Sequence, residues 1–156
     1  MADLPAVEAI AAAVHPDFFE EPAVFAERQA LYPSGTLLLE LGGVAAGYML
    51  SHPWRQGTLP ALNSLLGAIP AGADTFYLHD LALLPQARGT GAARMVVERL
   101  AQHASEAGFP TMSLVAVNGS RGFWEKQGFV IADVPALNEK LRGYEDAARY
   151  MVKPLA

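Results

Sequence analysis

Three observations predict an α/β fold with a mixed sheet. The chain has 156 residues, enough for one domain with a substantial core. Its composition, 52% apolar and 17% charged residues, is typical of a well-packed globular protein. The apolar periodicity gives two helices and a hairpin followed by alternating strands and helices, an order typical of a mixed sheet covered by helices. Because no repeat or domain boundary interrupts this order, we expect residues 1–156 to form one domain.

The N-terminal half is predicted to hold two helices and a β-hairpin, over residues 4–14, 21–31, 36–41 and 44–51. Pro16 closes the first helix. Pro22 begins the second, because proline in a first turn lacks only a donor that the helix does not need. Gly42-Gly43 supplies the hairpin turn. Residues 52–73, broken by prolines and glycines, predict a long excursion with one short helical turn around residues 62–66, and long ordered loops often serve binding.

The C-terminal half is predicted to alternate strands and helices, over residues 75–84, 91–107, 111–117, 120–127, 129–134 and 149–153. Pro85 ends the first of these strands, since proline cannot donate to a sheet ladder. In the helix over residues 91–107, apolar side chains recur at helical spacing and charged ones take the opposite face, with Gly108 as its stop.

The composition also excludes several classes of function. There is no cysteine, which excludes disulfides, thiolate nucleophiles and cysteine-ligated metals. The chain has four histidines: His15, His52, His79 and His103. Their spacing is not that of metal ligands, so we expect no metal site. The net charge of −5, without a run of Lys or Arg, argues against nucleic acid. No basic leader or uninterrupted apolar span is present, so we expect a cytoplasmic protein without a membrane partner.

The segment Arg88-Gly89-Thr90-Gly91-Ala92-Ala93 joins a predicted strand to a predicted helix. The first turn of a helix exposes backbone N–H groups at the positive end of the helix dipole. Gly89 and Gly91 lack Cβ atoms, so an anion can approach those donors closely. Arg88, Arg94 and Arg99 supply positive charge nearby. The physical chemistry of this segment therefore predicts a phosphate-binding loop.

Two common phosphate-binding classes do not fit this loop. A Walker A loop requires Gly-Lys-Ser/Thr, where this chain has Gly91-Ala92-Ala93. A dinucleotide fingerprint requires a third small residue where Arg94 stands. It also requires an acidic residue near the position of Thr111. The loop therefore belongs to neither of these two classes.

Two motifs resemble the GNAT superfamily of acetyl-CoA-dependent N-acetyltransferases. In the first, Leu83-Leu84-Pro85 precedes Arg88 to Ala93, and the family places a proline three residues before the Arg or Gln of its Arg/Gln-x-x-Gly-x-Gly/Ala signature. In the second, Phe123 to Phe129 matches a closing pattern of aromatic-Glu-Lys-x-Gly-Phe. The resemblance spans about residues 36–134. It implies a mixed, mostly antiparallel sheet flanked by helices. The family's fold usually opens with a strand, whereas residues 3–5 here already predict the start of a helix; either that strand is missing or the true start of the protein lies upstream.

The same resemblance implies where acetyl-CoA, as cosubstrate, would lie. Backbone groups of the loop would hold its pyrophosphate, at Gly89, Thr90, Gly91, Ala92, Ala93 and Arg94. Leu81, Ala82 and Leu83 would follow the pantetheine arm and the acetyl carbonyl, with the Leu83 N–H as oxyanion donor. Asn118 would touch the pantetheine, although it stands six residues before Trp124 where family members have seven. The alternative for Asn118 is a cap of the helix near Ser120.

Residues 78–83 also resemble arylalkylamine N-acetyltransferases, which place a catalytic histidine at the position of His79 and a second histidine at that of Tyr77. Histidine suits removal of a proton from an amine, so His79 is the candidate base and Tyr77 a second catalytic candidate. Strand alternation puts both on one face with Leu81 and Leu83. A structural histidine bonded to a carbonyl is the alternative for His79. Asp80 would pair with a substrate ammonium or act as a structural acceptor.

Trp124 is the main departure from the family, whose members commonly have a tyrosine there to protonate the departing thiolate. An indole N–H cannot give up its proton in this way. We therefore expect Trp124 to pack beside the pantetheine or in the core. Another group would supply the proton, or the thiolate would leave unassisted. Three tyrosines are candidate replacements: Tyr77, Tyr144 and Tyr150.

The resemblance implies an acceptor site opposite the CoA arm, formed by residues 17–21 and by a loop containing Trp54 as specificity residue. Phe18 and Phe19 are alternatively core residues, and the glutamates a solvated helix start. The function implied is acetyl transfer to a primary amine of a small molecule or peptide, by direct attack in a ternary complex. Two alternatives stay open: a non-catalytic acyl-CoA-binding regulatory domain, and a transferase for a longer acyl-CoA. A homodimer is also left open.

Overall fold

The structure, a computed structural model, describes residues 3–155. It contains five helices: α1 (Leu4–Val14), α2 (Pro22–Leu31), α3 (Ala92–Glu106), α4 (Arg121–Lys126) and α5 (Asn138–Tyr144). Its six strands are β1 (Thr36–Leu41), β2 (Val44–Trp54), β3 (Thr75–Leu83), β4 (Thr111–Ala116), β5 (Val130–Ile131) and β6 (Arg149–Pro154). Three short 3₁₀ turns complete it, at Pro33–Gly35, Pro85–Ala87 and Pro135–Leu137.

The six strands form one sheet in the order β1-β2-β3-β4-β6-β5. All neighbours pair antiparallel except β3 and β4, which run parallel. This arrangement confirms the expected mixed, mostly antiparallel sheet. None of the helices within residues 3–155 has the length and apolar character needed to cross a bilayer.

Strands β3 and β4 stay together over only three pairs, from Phe76↔Met112 to Leu78↔Leu114. Beyond Leu78, β3 continues to Leu83 without a pairing residue on β4. The two strands therefore separate, and the sheet opens on the side where β3 leads into the segment Arg88 to Ala93, the glycine loop.

A β-bulge interrupts β3 at His79. Leu50 of β2 pairs with Asp80 and the next residue, Ser51, pairs with Leu78, so His79 is the extra residue. A bulge shifts the alternation of side chains by one position. The expected common face of Tyr77, His79, Leu81 and Leu83 is therefore wrong.

The two faces of the sheet have different coverings, and they show the effect of the bulge. On one face, Leu78 and Leu81 pack with α3 and α4 around Leu100 and Trp124. On the opposite face, Ala82 packs beneath α1 and α2. Tyr77 contributes to a third cluster, with Leu59, Leu137, Tyr150 and Val152. His79 and Asp80 both contact residues of the segment that connects α1 to α2.

Most elements lie where the sequence predicts them, with three differences. The strand expected over 129–134 is only Val130–Ile131, because the Phe129 N–H still bonds the Trp124 carbonyl at 3.1 Å and closes α4. The excursion before β3 contains turns but no helical turn. Helix α5 was not predicted, since none of its residues is buried and no apolar periodicity marks it.

Candidate active site

A cleft of about 460 Å³ occupies the gap between β3 and β4. Its wall is apolar over most of its area, with a few polar groups from β3 and from the end of α1. It includes six residues that the sequence assigns to acetyl-CoA: Leu81, Leu83, Arg88, Ala93, Asn118 and Trp124. Two further polar residues of the wall, His79 and Asp80, were assigned to catalysis and substrate binding. An apolar cleft with few convergent polar groups is the usual form of a small-molecule site.

The glycine loop lies at the edge of this cleft, since Arg88 and Ala93 on either side of it both contribute to the wall. Gly89 and Gly91 have φ values of 75° and 83°, in the left-handed region that other residues rarely adopt. A Cβ atom at either position would meet no protein atom within 4 Å. The loop therefore faces open space, with the first N–H groups of α3 available to an anion.

Side chains around the loop hold its shape. Thr90 Oγ1 donates to the Ala87 carbonyl at 2.6 Å and accepts the Ala92 N–H at 3.3 Å, which fixes the turn into α3. Arg88 Nε donates to the Leu83 carbonyl at 3.3 Å and so ties the loop to the end of β3. Arg94 instead pairs with Glu98 at 2.9 Å on the exposed surface of α3. Among the three arginines expected near a phosphate, Arg88 alone lines the cleft within the described chain.

The Leu83 N–H points into the gap. Successive N–H groups of a strand point to opposite sides, and the Leu84 N–H bonds the Ala46 carbonyl of β2 at 2.8 Å. The N–H groups of Leu83 and Leu81 therefore point away from β2, toward the side where β4 has separated. Ala82 differs: its side chain is buried under α1, so only its backbone could follow a ligand in the cleft.

His79 is held by a buried carboxylate. Its Nε2 lies 2.7 Å from Glu20 Oε1, and only 2% of the His79 side chain and 5% of the Glu20 side chain are exposed. The other oxygen of Glu20 accepts the Asn63 N–H at 3.1 Å. His79 Nδ1 is buried and has no hydrogen-bond partner. When Nε2 carries a proton and donates a hydrogen bond to Glu20, Nδ1 has a free lone pair that can accept a proton.

A second imidazole–carboxylate pair lies beside the first. His15 Nε2, at the C-terminal end of α1, lies 2.8 Å from Asp80 Oδ1, and the hydroxyl of Tyr48 donates to the other oxygen of Asp80. Burial disfavours the charged imidazole, but the contact with Asp80 and its negative charge outweigh burial and raise the pKa of His15 above its usual value. Nδ1 of His15 is also buried without a partner.

A small chamber of about 40 Å³ continues beyond the two histidines. It shares His15, His79 and Asp80 with the main cleft and is also lined by Phe18, Leu62 and Tyr144. Phe18 and Glu20 come from the segment that was expected to form part of an acceptor site, and the chamber that they line is narrow.

The comparisons with known proteins agree with this fold. A model of the acetyltransferase (GNAT) family matches residues 4–129. The chain belongs to the GNAT acetyltransferase family. No curated protein sequence gives a significant match.

Solved structures resemble this GNAT protein over nearly its whole length. The GphF GNAT-like decarboxylase, solved in complex with isobutyryl-CoA, is 17% identical with a TM-score of 0.82, and the match covers 99% of this chain and 96% of that one. Ard1 from Thermoplasma volcanium is 16% identical with a TM-score of 0.73, over 99% and 93%. The ribosomal-protein-S18-alanine N-acetyltransferase from Escherichia coli is 20% identical with a TM-score of 0.68, over 100% and 90%. At these identities the likeness concerns the fold.

None of the three candidate tyrosines lines the main cleft of this GNAT protein, as far as the structure describes it. Tyr77 is 1% exposed, and burial and its contact with Tyr144 raise its pKa well above the usual range. Tyr144 donates to the Pro60 carbonyl at 3.0 Å, and Tyr150 accepts the Gly57 N–H at 3.0 Å. Their positions are structural, so the predicted catalytic role of Tyr77 finds no access to a substrate in the cleft.

Trp124 packs in the core and also forms part of the cleft wall. It is 8% exposed and contacts the rings of Phe123 and Phe129 edge-on. Asn118 lines the cleft too, in a left-handed turn with a φ of 56°, but α4 is preceded by Ser120, so Asn118 is not its N-cap.

Trp54, expected to contact the acceptor, lies elsewhere. Its ring packs against the cluster around Tyr77 and meets His52 edge-on, with ring centroids 5.4 Å apart. Within the described residues it belongs to neither the cleft nor the chamber, which corrects its predicted place.

Two residues of the site were missed or misjudged from sequence. Glu20 was weighed mainly as part of a solvated helix start, yet it is buried against His79. His15 was noted only as a histidine without a metal-binding neighbour. Its partner Asp80 is distant in sequence, and no local pattern could have joined the two residues.

Proposed function

We propose that this protein transfers an acetyl group from acetyl-CoA to a primary amine of a small molecule or peptide, by direct attack in a ternary complex. One observation carries the proposal: the wall of a single cleft combines the glycine loop at its edge with His79, whose Nδ1 is free and whose Nε2 is held by Glu20. The loop suits the phosphates of coenzyme A, and the histidine suits an amine that must lose a proton.

Several polar groups of the cleft and the chamber have roles in this reaction. His79 removes the proton of the attacking amine, while Glu20 holds its ring in one orientation. The Leu83 N–H, directed into the gap, stabilises the oxyanion that forms as the amine adds to the thioester carbonyl. Asp80 and Glu20 give the chamber a negative character that favours an ammonium group. Holding both partners in one cleft adds the advantage of proximity.

Calorimetry with acetyl-CoA, followed by thiol release with a panel of amines, tests the proposal. We expect saturable binding of acetyl-CoA and thiol release that requires an amine. Binding without turnover on any amine would favour the non-catalytic regulatory alternative. Tighter binding and faster turnover with longer acyl-CoA thioesters would favour the alternative in which the donor is a longer acyl-CoA. Absence of acetyl-CoA binding would contradict the proposal at its first step.

A second candidate, decarboxylation of a carboxyacyl-CoA, is favoured by the size of the chamber. A volume of about 40 Å³, lined by Phe18, Leu62 and Tyr144, admits little more than the reacting end of an acceptor. Loss of CO₂ needs no acceptor amine, and the structural neighbour GphF is described as a GNAT-like decarboxylase. Incubation with malonyl-CoA distinguishes the two activities: release of CO₂ with the thioester intact supports the second candidate, and an unchanged substrate excludes it.

A further inference from the structure

We propose that His15 is the proton donor to the thiolate that leaves when the acetyl group is transferred. This inference rests on the proposed acetyl transfer and names the residue that completes it. The reaction breaks the bond between the carbonyl carbon and sulfur, and the departing sulfur must gain a proton to become a thiol. Trp124, at the position discussed above, has no proton that it can release near neutral pH.

The cleft offers few groups that can release a proton. Among the described residues, the titratable side chains of its wall are His15, His79, Asp80 and Arg88. Arg88 stays protonated at any pH that a protein tolerates. Asp80 contacts His15 through one oxygen and accepts the Tyr48 hydroxyl with the other, so neither oxygen is available to donate a proton to sulfur. His79 is committed to the opposite task, because its free Nδ1 must accept the proton of the amine. His15 is the group that remains.

The geometry of His15 suits a donor. Its ring is anchored at one end, where Nε2 lies 2.8 Å from Asp80 Oδ1, and its other nitrogen, Nδ1, is buried in the cleft wall without a hydrogen-bond partner. The Leu81 carbonyl also favours the charged form of this ring. The ring therefore lies beside the segment of β3 where the gap opens. A protonated Nδ1 in the cleft wall has a proton to give to a sulfur bound there.

The charged groups around His15 favour its protonated form. Asp80 on β3 and Glu20 in the connecting segment both raise its pKa, against the effect of burial. The other titratable groups that line the chamber with it are His79 and Tyr144. Arg88, which bonds the carbonyl at the end of β3, lines the main cleft. The two carboxylates therefore offset the cost of a buried cation at His15.

The proton balance of the step closes with these two histidines. The neutral amine adds to the carbonyl carbon, and a nitrogen–carbon bond forms while the carbon–sulfur bond breaks. One proton passes from the amine nitrogen to Nδ1 of His79, and one passes from Nδ1 of His15 to the sulfur. The products are the amide and free CoA thiol. Afterwards His79 returns its proton to solvent and His15 takes one from solvent, so no further reactant is needed.

The pH profile of a His15→Gln variant tests this role. In the wild type, kcat should fall as the pH rises through the pKa of His15, because the donor must be protonated. In the variant, we expect kcat to be about ten- to a hundredfold lower at neutral pH and its alkaline decline to be absent. Calorimetric affinity for acetyl-CoA should stay within about threefold, since Gln retains the polar contact with Asp80.

His103→Gln is the matched control, because His103 lies on α3, bonds the hydroxyl of Tyr32 and lies outside the cleft. It should keep the wild-type kcat and pH profile. An unchanged alkaline decline in His15→Gln would overturn the role of His15 while leaving the proposed function intact. Absence of transfer by the wild type on every amine would overturn both. If His15→Gln fails to fold, the wild type decides: a kcat that stays level through the alkaline range overturns the role without any variant.

Discussion

His79 and Glu20 are 59 positions apart in the chain, and their side chains meet at 2.7 Å between Nε2 and Oε1. The contact joins β3 to the segment between α1 and α2, and both side chains are almost fully buried. A bulge places His79 on this face, next to Asp80, instead of on the face of Leu81. The bulge therefore brings two imidazole–carboxylate pairs together at the cleft.

Replacing Glu20 with Gln should lower kcat by about tenfold or more, because the amide no longer fixes His79 with a proton on Nε2 or stabilises its protonated form. The matched control is Glu21→Gln, since Glu21 is the exposed neighbour. Steady-state kinetics of both variants with acetyl-CoA and a competent amine provide the comparison. Equal rates for the two variants would remove Glu20 from the mechanism.

Gly91→Ala should weaken acetyl-CoA binding by about ten- to a hundredfold, because a hydrogen bond to a charged group is worth about 1.5–3 kcal/mol and the new methyl group obstructs the approach of phosphate. The strained backbone, with a φ of 83°, should also reduce the free energy of unfolding by about 1–2 kcal/mol. Gly43→Ala, with a φ of 80° and open space at its Cβ, carries the same strain far from the loop. Calorimetry should show weakened binding in Gly91→Ala alone, and similar losses in both variants would argue against a phosphate site.

Tyr77→Phe should retain kcat within about twofold, because the hydroxyl is buried beside Tyr144 and outside the cleft. Loss of the buried hydrogen bond between Tyr77 and Tyr144 should reduce the free energy of unfolding by about 1 kcal/mol. Denaturant unfolding and steady-state kinetics, measured on the same preparation, check both parts. A large loss of kcat with unchanged stability would restore Tyr77 to the catalytic role predicted from sequence.

His52 should make the protein sensitive to acid. Burial lowers the pKa of His52 to about 3, whereas a histidine in the unfolded chain titrates near 6.5. The unfolded state therefore binds this proton at a higher pH, and the free energy of unfolding should fall as the pH drops from about 6.5 toward 3. In His52→Phe, which keeps the ring contact with Trp54, this contribution should vanish. Denaturant unfolding at several pH values should show the two proteins diverging as the pH falls; parallel curves would contradict the assignment.

Local sequence patterns sufficed for most elements because those elements bury a regular face. Helix α3 buries Val97, Leu100 and Ala104 at helical spacing, and the loop before it could be identified from its glycines. Helix α5 buries no residue, so it left no periodic signal. The bulge at His79 was not predictable either, because an extra residue in a strand depends on the register of the neighbouring strand.

The candidate site likewise has a part that could be predicted from local sequence and a part that could not. The part contributed by one continuous segment, from Leu81 through the glycine loop, could be predicted from its own residues and from the family resemblance. The contacts of His79 with Glu20 and of Asp80 with His15 join distant segments, and they follow from how α1 and its following loop pack on the sheet. Tyr77 and Trp54 were misplaced because burial in the third cluster leaves no trace in local spacing.

The central claim is that one cleft binds acetyl-CoA and directs its acetyl group to an amine. The most direct measurement is thiol release from acetyl-CoA by the purified protein, with and without a panel of primary amines, coupled to mass analysis of the amines. The account predicts thiol release that depends on the amine, with one acetyl group gained by that amine for each thiol released. Thiol release that is absent, or that proceeds equally without any amine, would contradict it.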